Sequence, residues 1–159
     1  AKIHGDGKVK VTGQLGDVMK ESVQIALTLV KSMFPEEAEV LKEADLHIHV
    51  PAGAVPKDGP SAGITIVTAL TSMLLNKGIS PEFAMTGEVS LRGGVMPIGG
   101  LPEKLMAAQR AGIKTVFIPY DNREDLEDVA EEVKAELHII PVKRVEEVLK
   151  QTGLISEKQ

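Results

Sequence analysis

Along this chain, apolar residues recur in blocks whose spacing alternates between that of strands and that of helices. Lys8-Val9-Lys10-Val11-Thr12 alternates polar and apolar like a half-buried strand, and Gly13 ends it. From Asp17 to Phe34 the apolar positions Val18, Ile25, Leu29 and Met33 recur at three- and four-residue spacing, with Pro35 just beyond, which predicts a first helix. Leu46 to Val50 makes a short strand. The most apolar segment follows, with Ile64, Ile66, Val67, Leu70, Met73, Leu74 and Leu75 before Asn76-Lys77-Gly78 stops the run. Phe83 to Leu91 and Gly94 to Pro97 flank Arg92-Gly93-Gly94 as two strands flank a hairpin turn. Leu101 to Ala111 reads as a helix introduced by Gly99-Gly100 and closed by Gly112, and Thr115 to Ile118 as a buried strand ended by Pro119. Glu124 to Glu136 reads as an acidic helical stretch, Leu137 to Ile140 as a strand, and Val142 to Lys150 as a last amphipathic helix. The tail from Ile155 to Gln159 is expected to fray.

No repeat, linker or low-complexity segment interrupts this alternation, so the prediction is one mixed α/β domain over residues 1–159, of the α+β class, with mixed sheets and packed helices. A chain of 159 residues buries roughly 70% of its unfolded surface and needs no staples. The apolar run after Ser61 is broken by Thr65, Thr68, Thr71 and Ser72 and falls short of the roughly 18 residues of a membrane span, so it is expected to be a buried core helix.

Composition narrows the chemistry. With no cysteine there are no disulfides, thiolate metal sites or cysteine nucleophiles, and a cytoplasmic setting is the default expectation. A net charge of −5, one Tyr, three Phe and no Trp leave neither a basic footprint nor stacking platforms, so nucleic acid is not an expected partner. The acidic stretch from Asp121 to Glu136, eight acids against Arg123 and Lys134, reads most simply as a solvated outer face. The N-terminus has neither signal-peptide order nor an initiator Met, as expected of a domain excised from a longer chain.

Pro56-Lys57-Asp58-Gly59-Pro60-Ser61-Ala62-Gly63 delivers one serine to the start of the apolar helix. Pro60 has the fixed φ that suits a first helical turn, and the unpaired amides of a helix N-terminus favour an oxyanion nearby. Ser61 is therefore a candidate nucleophile in need of a base. Of four histidines, His4 lies in the terminus and His138 near a late strand, while His47 and His49 share one face of a strand. That pair is either half of a metal site, with no third ligand spaced to complete it, or a solvated or interface-facing sheet surface. A lysine base would need its pKa lowered from about 10.4 towards 7 or 8, at a cost of about 4 kcal/mol. Lys104 shares the stripe Leu101, Leu105, Ala108 and Gly112 and lies in a first helical turn, where the positive helix end disfavours an ammonium. On these grounds it should point inward. The competing reading is a lysine whose stem merely covers apolar surface. Lys57 is a rival base, but it sits in a loop where it should stay solvated and charged.

At these residues the chain resembles the proteolytic domain of Lon, an ATP-dependent serine protease working through a Ser-Lys dyad. The blocks that carry the resemblance are Pro56 to Gly63, Met85-Thr86-Gly87-Glu88-Val89-Ser90-Leu91-Arg92-Gly93, Pro97-Ile98-Gly99-Gly100-Leu101-Pro102-Glu103-Lys104, Gly112-Ile113-Lys114-Thr115-Val116 and Ile118-Pro119. The likeness runs from about Val9 to Leu149. It implies that Ser61 is the nucleophile, Lys104 the general base, and Thr86 the residue whose hydroxyl orients the lysine. The Ser61 amide and a neighbouring loop amide would form the oxyanion hole. Asp58 and Gly59 are the supporting loop positions: Asp58 either pairs with Lys104 and holds it inactive, or is an Asx-turn aspartate. One departure is Ala52, where many bacterial relatives carry Glu, which leaves nearby groove contacts in question.

The resemblance also implies unfolded or damaged polypeptide substrates, a six-membered ring in the full-length protein, and a covalently linked ATPase module that uses ATP and magnesium. No G-x-x-x-x-G-K-[ST] loop occurs in this chain, so the ATPase and N-terminal domains lie outside it and no cofactor is expected within it. Gly93-Gly94 and Gly99-Gly100 read as a turn and a helix start rather than phosphate cradles. Two other readings remain: a non-catalytic assembly or substrate-binding module of the same fold, and an α/β-hydrolase-type esterase, since Gly59 to Gly63 fits G-x-S-x-G.

Overall fold

A computed structural model describes residues 2–4, 9–13, 17–39, 44–50 and 63–155, with side chains over 20–39 and 63–155. Three strands form a first sheet in which β1 (Lys2–His4) runs antiparallel and β2 (Val9–Gly13) parallel to the central β3 (Ala44–Val50). Helix α1 (Asp17–Met33) and the short α2 (Pro35–Ala38) connect β2 to β3. In the register of this sheet His47 lies opposite Lys10 and His49 opposite Thr12. Strand β1, at three residues, and α2, at four, are too short to leave a periodic signal.

The second sheet organises the rest of the described chain. It consists of β4 (Phe83–Met85), β7 (Thr115–Pro119) and β8 (His138–Val142), all parallel, with β7 in the middle. Between β4 and β7 come a hairpin of β5 (Glu88–Val89) and β6 (Val95–Met96) and then helix α4 (Leu101–Arg110). A 3-10 helix (Tyr120–Asp128) and α5 (Glu131–Glu136) join β7 to β8, and α6 (Val145–Gln151) follows.

Both faces of this sheet are covered, which is why β7 reads as an unbroken apolar run. Successive residues point to opposite faces. Phe117, with Phe83, Met85 and Ile140, joins the core built by α1, α3 (Gly63–Leu75) and α6, whereas Val116 and Ile118, with Ala84 and Ile139, meet Leu101, Leu105 and Ala108 of α4 and Val133 of α5. Helix α1 packs along α3. Its deep face is Val23, Ala26, Leu27, Leu29 and Val30; of the expected stripe Leu29 is buried while Ile25 and Met33 are half-buried, so the helix period holds but the stripe is wider and rotated. In α3 the buried Thr68 and Thr71 each donate their hydroxyl to the carbonyl four residues back, at 2.8 Å, so polar residues stay in the core without unpaired groups.

Three expected elements change. The strand over Phe83 to Leu91 divides into β4 and β5 because it exchanges partners, pairing with β7 first and β6 afterwards. The acidic stretch divides into the 3-10 helix and α5, with Val129 extended between them. Asp121/Asp125 and Glu124/Asp128 would set like charges four apart on an α-helix, and short Asp and Asn side chains are poor helix formers. The last helix starts at Val145 because Val142 is still in β8 opposite Pro119, and the Glu147 carboxylate caps the start by accepting the amides of Lys143 and Arg144 at 2.7 Å each. At the tail, Leu154 is buried and the amide of Ile155 donates to the carbonyl of Leu149, so Ile155 is held rather than frayed.

Candidate active site

Two of the implied site residues lie on, or just beyond, the segments that enter and leave the open end of the β5–β6 hairpin. Glu88 pairs with Met96 and Val89 with Val95, so Thr86-Gly87 precedes the hairpin at the end from which Pro97 to Gly100 leaves it. The closed end is a tight turn: the Gly93 amide donates to the Ser90 carbonyl and the Ser90 amide to the Gly94 carbonyl, both at 3.0 Å, with Gly93 left-handed at φ 84°. Gly93-Gly94 is thus a turn, as expected.

Thr86 occupies the point where the chain changes partners. It is buried, and its amide donates to the carbonyl of Phe117 at 3.1 Å, continuing the β4–β7 pairing by one residue. The next residue is held from the other side, where the amide of Ile64 in the first turn of α3 donates to the Gly87 carbonyl at 3.1 Å. Gly63, the first residue of α3, packs so closely that a Cβ there would lie 3.0 Å from the Val89 amide nitrogen. The start of the apolar helix is thereby tied to the Thr86 block. Gly87 has even less room, since a Cβ would come within 2.7 Å of Val95 Cγ1. Gly87→Ala is expected to cost about 1–3 kcal/mol, read from the unfolding midpoint, whereas Gly78→Ala, with nothing within 4 Å, should be nearly neutral.

Lys104 lies in the first turn of α4. Leu101 and Leu105 are fully buried and Ala108 nearly so, as the stripe predicts, but Gly112 is exposed and closes the helix in a left-handed conformation at φ 77°. Lys104 does not point straight inward. It borders the stripe half-buried, and its Nζ folds back to donate to the Gly99 carbonyl at 3.2 Å. The helix starts from Gly100, left-handed at φ 72°, with no side-chain cap. Gly99-Gly100 is therefore a helix start, as expected.

Ser61, Asp58 and Gly59 lie outside the described residues, as do Lys57 and Ala52; α3 begins two residues past Ser61. His138 is exposed at the start of β8, with its amide donating to the Lys114 carbonyl at 2.8 Å. Among the described residues no helix is long and apolar enough to cross a membrane.

The structure is a mixed α+β domain in which the Thr86 block is tied to the start of α3 and the Lys104 helix follows the β5–β6 hairpin. The sequence model for the Lon protease (S16) C-terminal proteolytic domain matches residues 1–154, and the chain belongs to that family. It is similar to a Lon protease of Clostridium beijerinckii, 58% identical over 152 residues, covering 96% of this chain and 19% of the relative. A Lon protease of Methanosarcina barkeri is 54% identical over 149 residues, covering 92% of this chain and 19% of its own. That of Escherichia coli K12 is 53% identical over 152 residues, covering 94% and 19%. The chain thus spans about a fifth of the length of the curated relatives it matches.

Proposed function

We propose that this chain is a serine endopeptidase domain that hydrolyses unfolded or damaged polypeptides through a Ser61–Lys104 dyad. The observation that supports the reading is that the Thr86 block, tied to the first turn of α3, enters the open end of the β5–β6 hairpin from which the segment leading to the Lys104 helix departs, in a chain of the Lon proteolytic family. Neutral Lys104 takes the proton from Ser61 Oγ as that oxygen attacks the scissile carbonyl carbon. The tetrahedral oxyanion that forms is stabilised by the Ser61 amide and a loop amide. When the C–N bond breaks, Lys104 returns the proton to the departing amine and an ester on Ser61 remains. Water, deprotonated by the same lysine, then attacks the ester carbonyl carbon, and as the C–O bond breaks the lysine returns that proton to Ser61 Oγ, freeing the acid and the serine.

Thr86 orients the lysine through its hydroxyl. Asp58, beside Gly59 in the serine loop, pairs with Lys104 in an inactive state. The chain needs no cofactor of its own; in the parent protein it is linked to an ATPase module using ATP and magnesium, within a cytoplasmic six-membered ring that engages neither membrane nor nucleic acid through this domain. A fluorophosphonate serine reagent should add to Ser61 and to no other residue, as read by peptide mass spectrometry, and should fail to add to a Ser61→Ala variant. An unlabelled Ser61 in the ring-assembled protein would favour the non-catalytic module instead. Labelling that persists in Lys104→Ala and is lost on substitution of His138 would favour the esterase.

A further inference from the structure

We propose that Asn122 is a positioning residue for Lys104, fixing the peptide plane beside the carbonyl that receives the lysine ammonium or amine. This rests on the dyad reading. Asn122 is 3% exposed, the most buried amide side chain among the described residues, although it stands within the acidic stretch. Its Oδ1 accepts the Ile98 amide at 2.9 Å and its Nδ2 donates to the Ile98 carbonyl at 2.8 Å. Nδ2 also donates to the Asp125 carboxylate at 2.7 Å, which fixes the orientation of the amide, because the flipped amide would face two acceptors with its oxygen.

The Ile98 carbonyl belongs to the Ile98–Gly99 peptide plane. The next plane carries the Gly99 carbonyl, the acceptor of Lys104 Nζ at 3.2 Å. Two consecutive glycines, with Gly100 left-handed and no side-chain cap on α4, have little of their own to hold them in one conformation. The paired bonds from the 3-10 helix supply that constraint from outside the loop. Asn122 thus ties the approach to α4 to the covered side of the central sheet, where Val129 and Val133 pack against Leu101 and Leu105.

Asn122→Ala removes both bonds to Ile98. The expected result is a roughly tenfold to hundredfold fall in the maximal rate of Ser61 phosphonylation by a fluorophosphonate, in which Ser61 Oγ bonds to phosphorus and fluoride leaves, with the reagent's binding constant unchanged, because a misplaced base slows proton transfer without altering reagent binding. Faster amide hydrogen exchange should accompany it over residues 97–104. Asn122→Asp keeps the acceptor for the Ile98 amide but sets a carboxylate against the Ile98 carbonyl and Asp125, and should be no faster than Asn122→Ala. A variant with a lowered unfolding midpoint but an unchanged phosphonylation rate when folded would overturn the proposal and leave Asn122 a structural residue. Unchanged exchange over 97–104 would also overturn it. Were the unsubstituted protein itself not phosphonylated at Ser61, or phosphonylated equally fast with Lys104→Arg, the dyad would fail, and this role for Asn122 with it.

Discussion

Lys104→Arg is expected to abolish peptide hydrolysis while leaving the domain folded. Guanidinium stays protonated at every pH a protein survives, so it cannot accept the Ser61 proton. General-base assistance is worth about 10²–10⁴ in rate, and in the proposed cycle one lysine acts in both acylation and deacylation, which puts the loss near the upper end, about 10⁴-fold in kcat/KM. The fold should tolerate the change. Lys104 is half-buried at the border of its stripe, its head bonded to the Gly99 carbonyl, and an arginine stem covers the same apolar surface. Stability should stay within about 0.5 kcal/mol. The pH dependence has a definite sign: a base that works only when neutral gives activity that rises with pH, through an apparent pKa below the 10.4 or so of free lysine. Steady-state peptidase assays from pH 6 to 10 on both proteins check this. Substantial activity in Lys104→Arg, or activity that falls as pH rises through this range, would remove the lysine from the mechanism.

The residues of this site were legible in the sequence to different depths. Helix α4 and its stripe followed from the spacing of Leu101, Leu105 and Ala108 between Gly99-Gly100 and Gly112, because an amphipathic helix bounded by glycines is a local property. The stripe also predicted that Lys104 points inward, and there it misled. The lysine side chain turns back to a carbonyl five residues earlier, on the far side of the left-handed Gly100, a contact that periodicity does not register. Thr86 could be read only as a strand threonine until resemblance singled it out, since the change of partner at that residue depends on β7, some thirty positions later in the chain. Asn122 was hidden for a related reason. Charge marks the stretch from Asp121 to Glu136 as an outer face, and most of it is exposed, but the 3-10 helix turns this one amide inward to Ile98. The available signal was a lone amide among carboxylates directly after a strand, which is weak without knowledge of what lies opposite.

Phe117→Ala should be the most destabilising single truncation in the central sheet. Phe117 is fully buried in the middle strand, its ring stacked on Phe83 at 5.6 Å between centroids and 28° between planes, in the core shared with α1, α3 and α6. Truncation removes that contact and leaves a cavity that a strand paired on both sides is poorly able to close, for an expected loss of about 3–5 kcal/mol. Against the 5–15 kcal/mol typical of a domain, this is enough to populate the unfolded state under mild conditions. Urea unfolding should show a lower midpoint at unchanged slope, and Phe117→Leu, which refills part of the volume, a clearly smaller loss. The effect should extend to chemistry, because the carbonyl of Phe117 accepts the Thr86 amide and thereby seats the residue proposed to orient Lys104. In Phe117→Ala, acylation per folded molecule should therefore fall as well as stability. A loss below about 1 kcal/mol would mean that the core shared with α1, α3 and α6 repacks without Phe117. Full acylation in the folded fraction would mean that Thr86 keeps its place independently of the side chain beneath it.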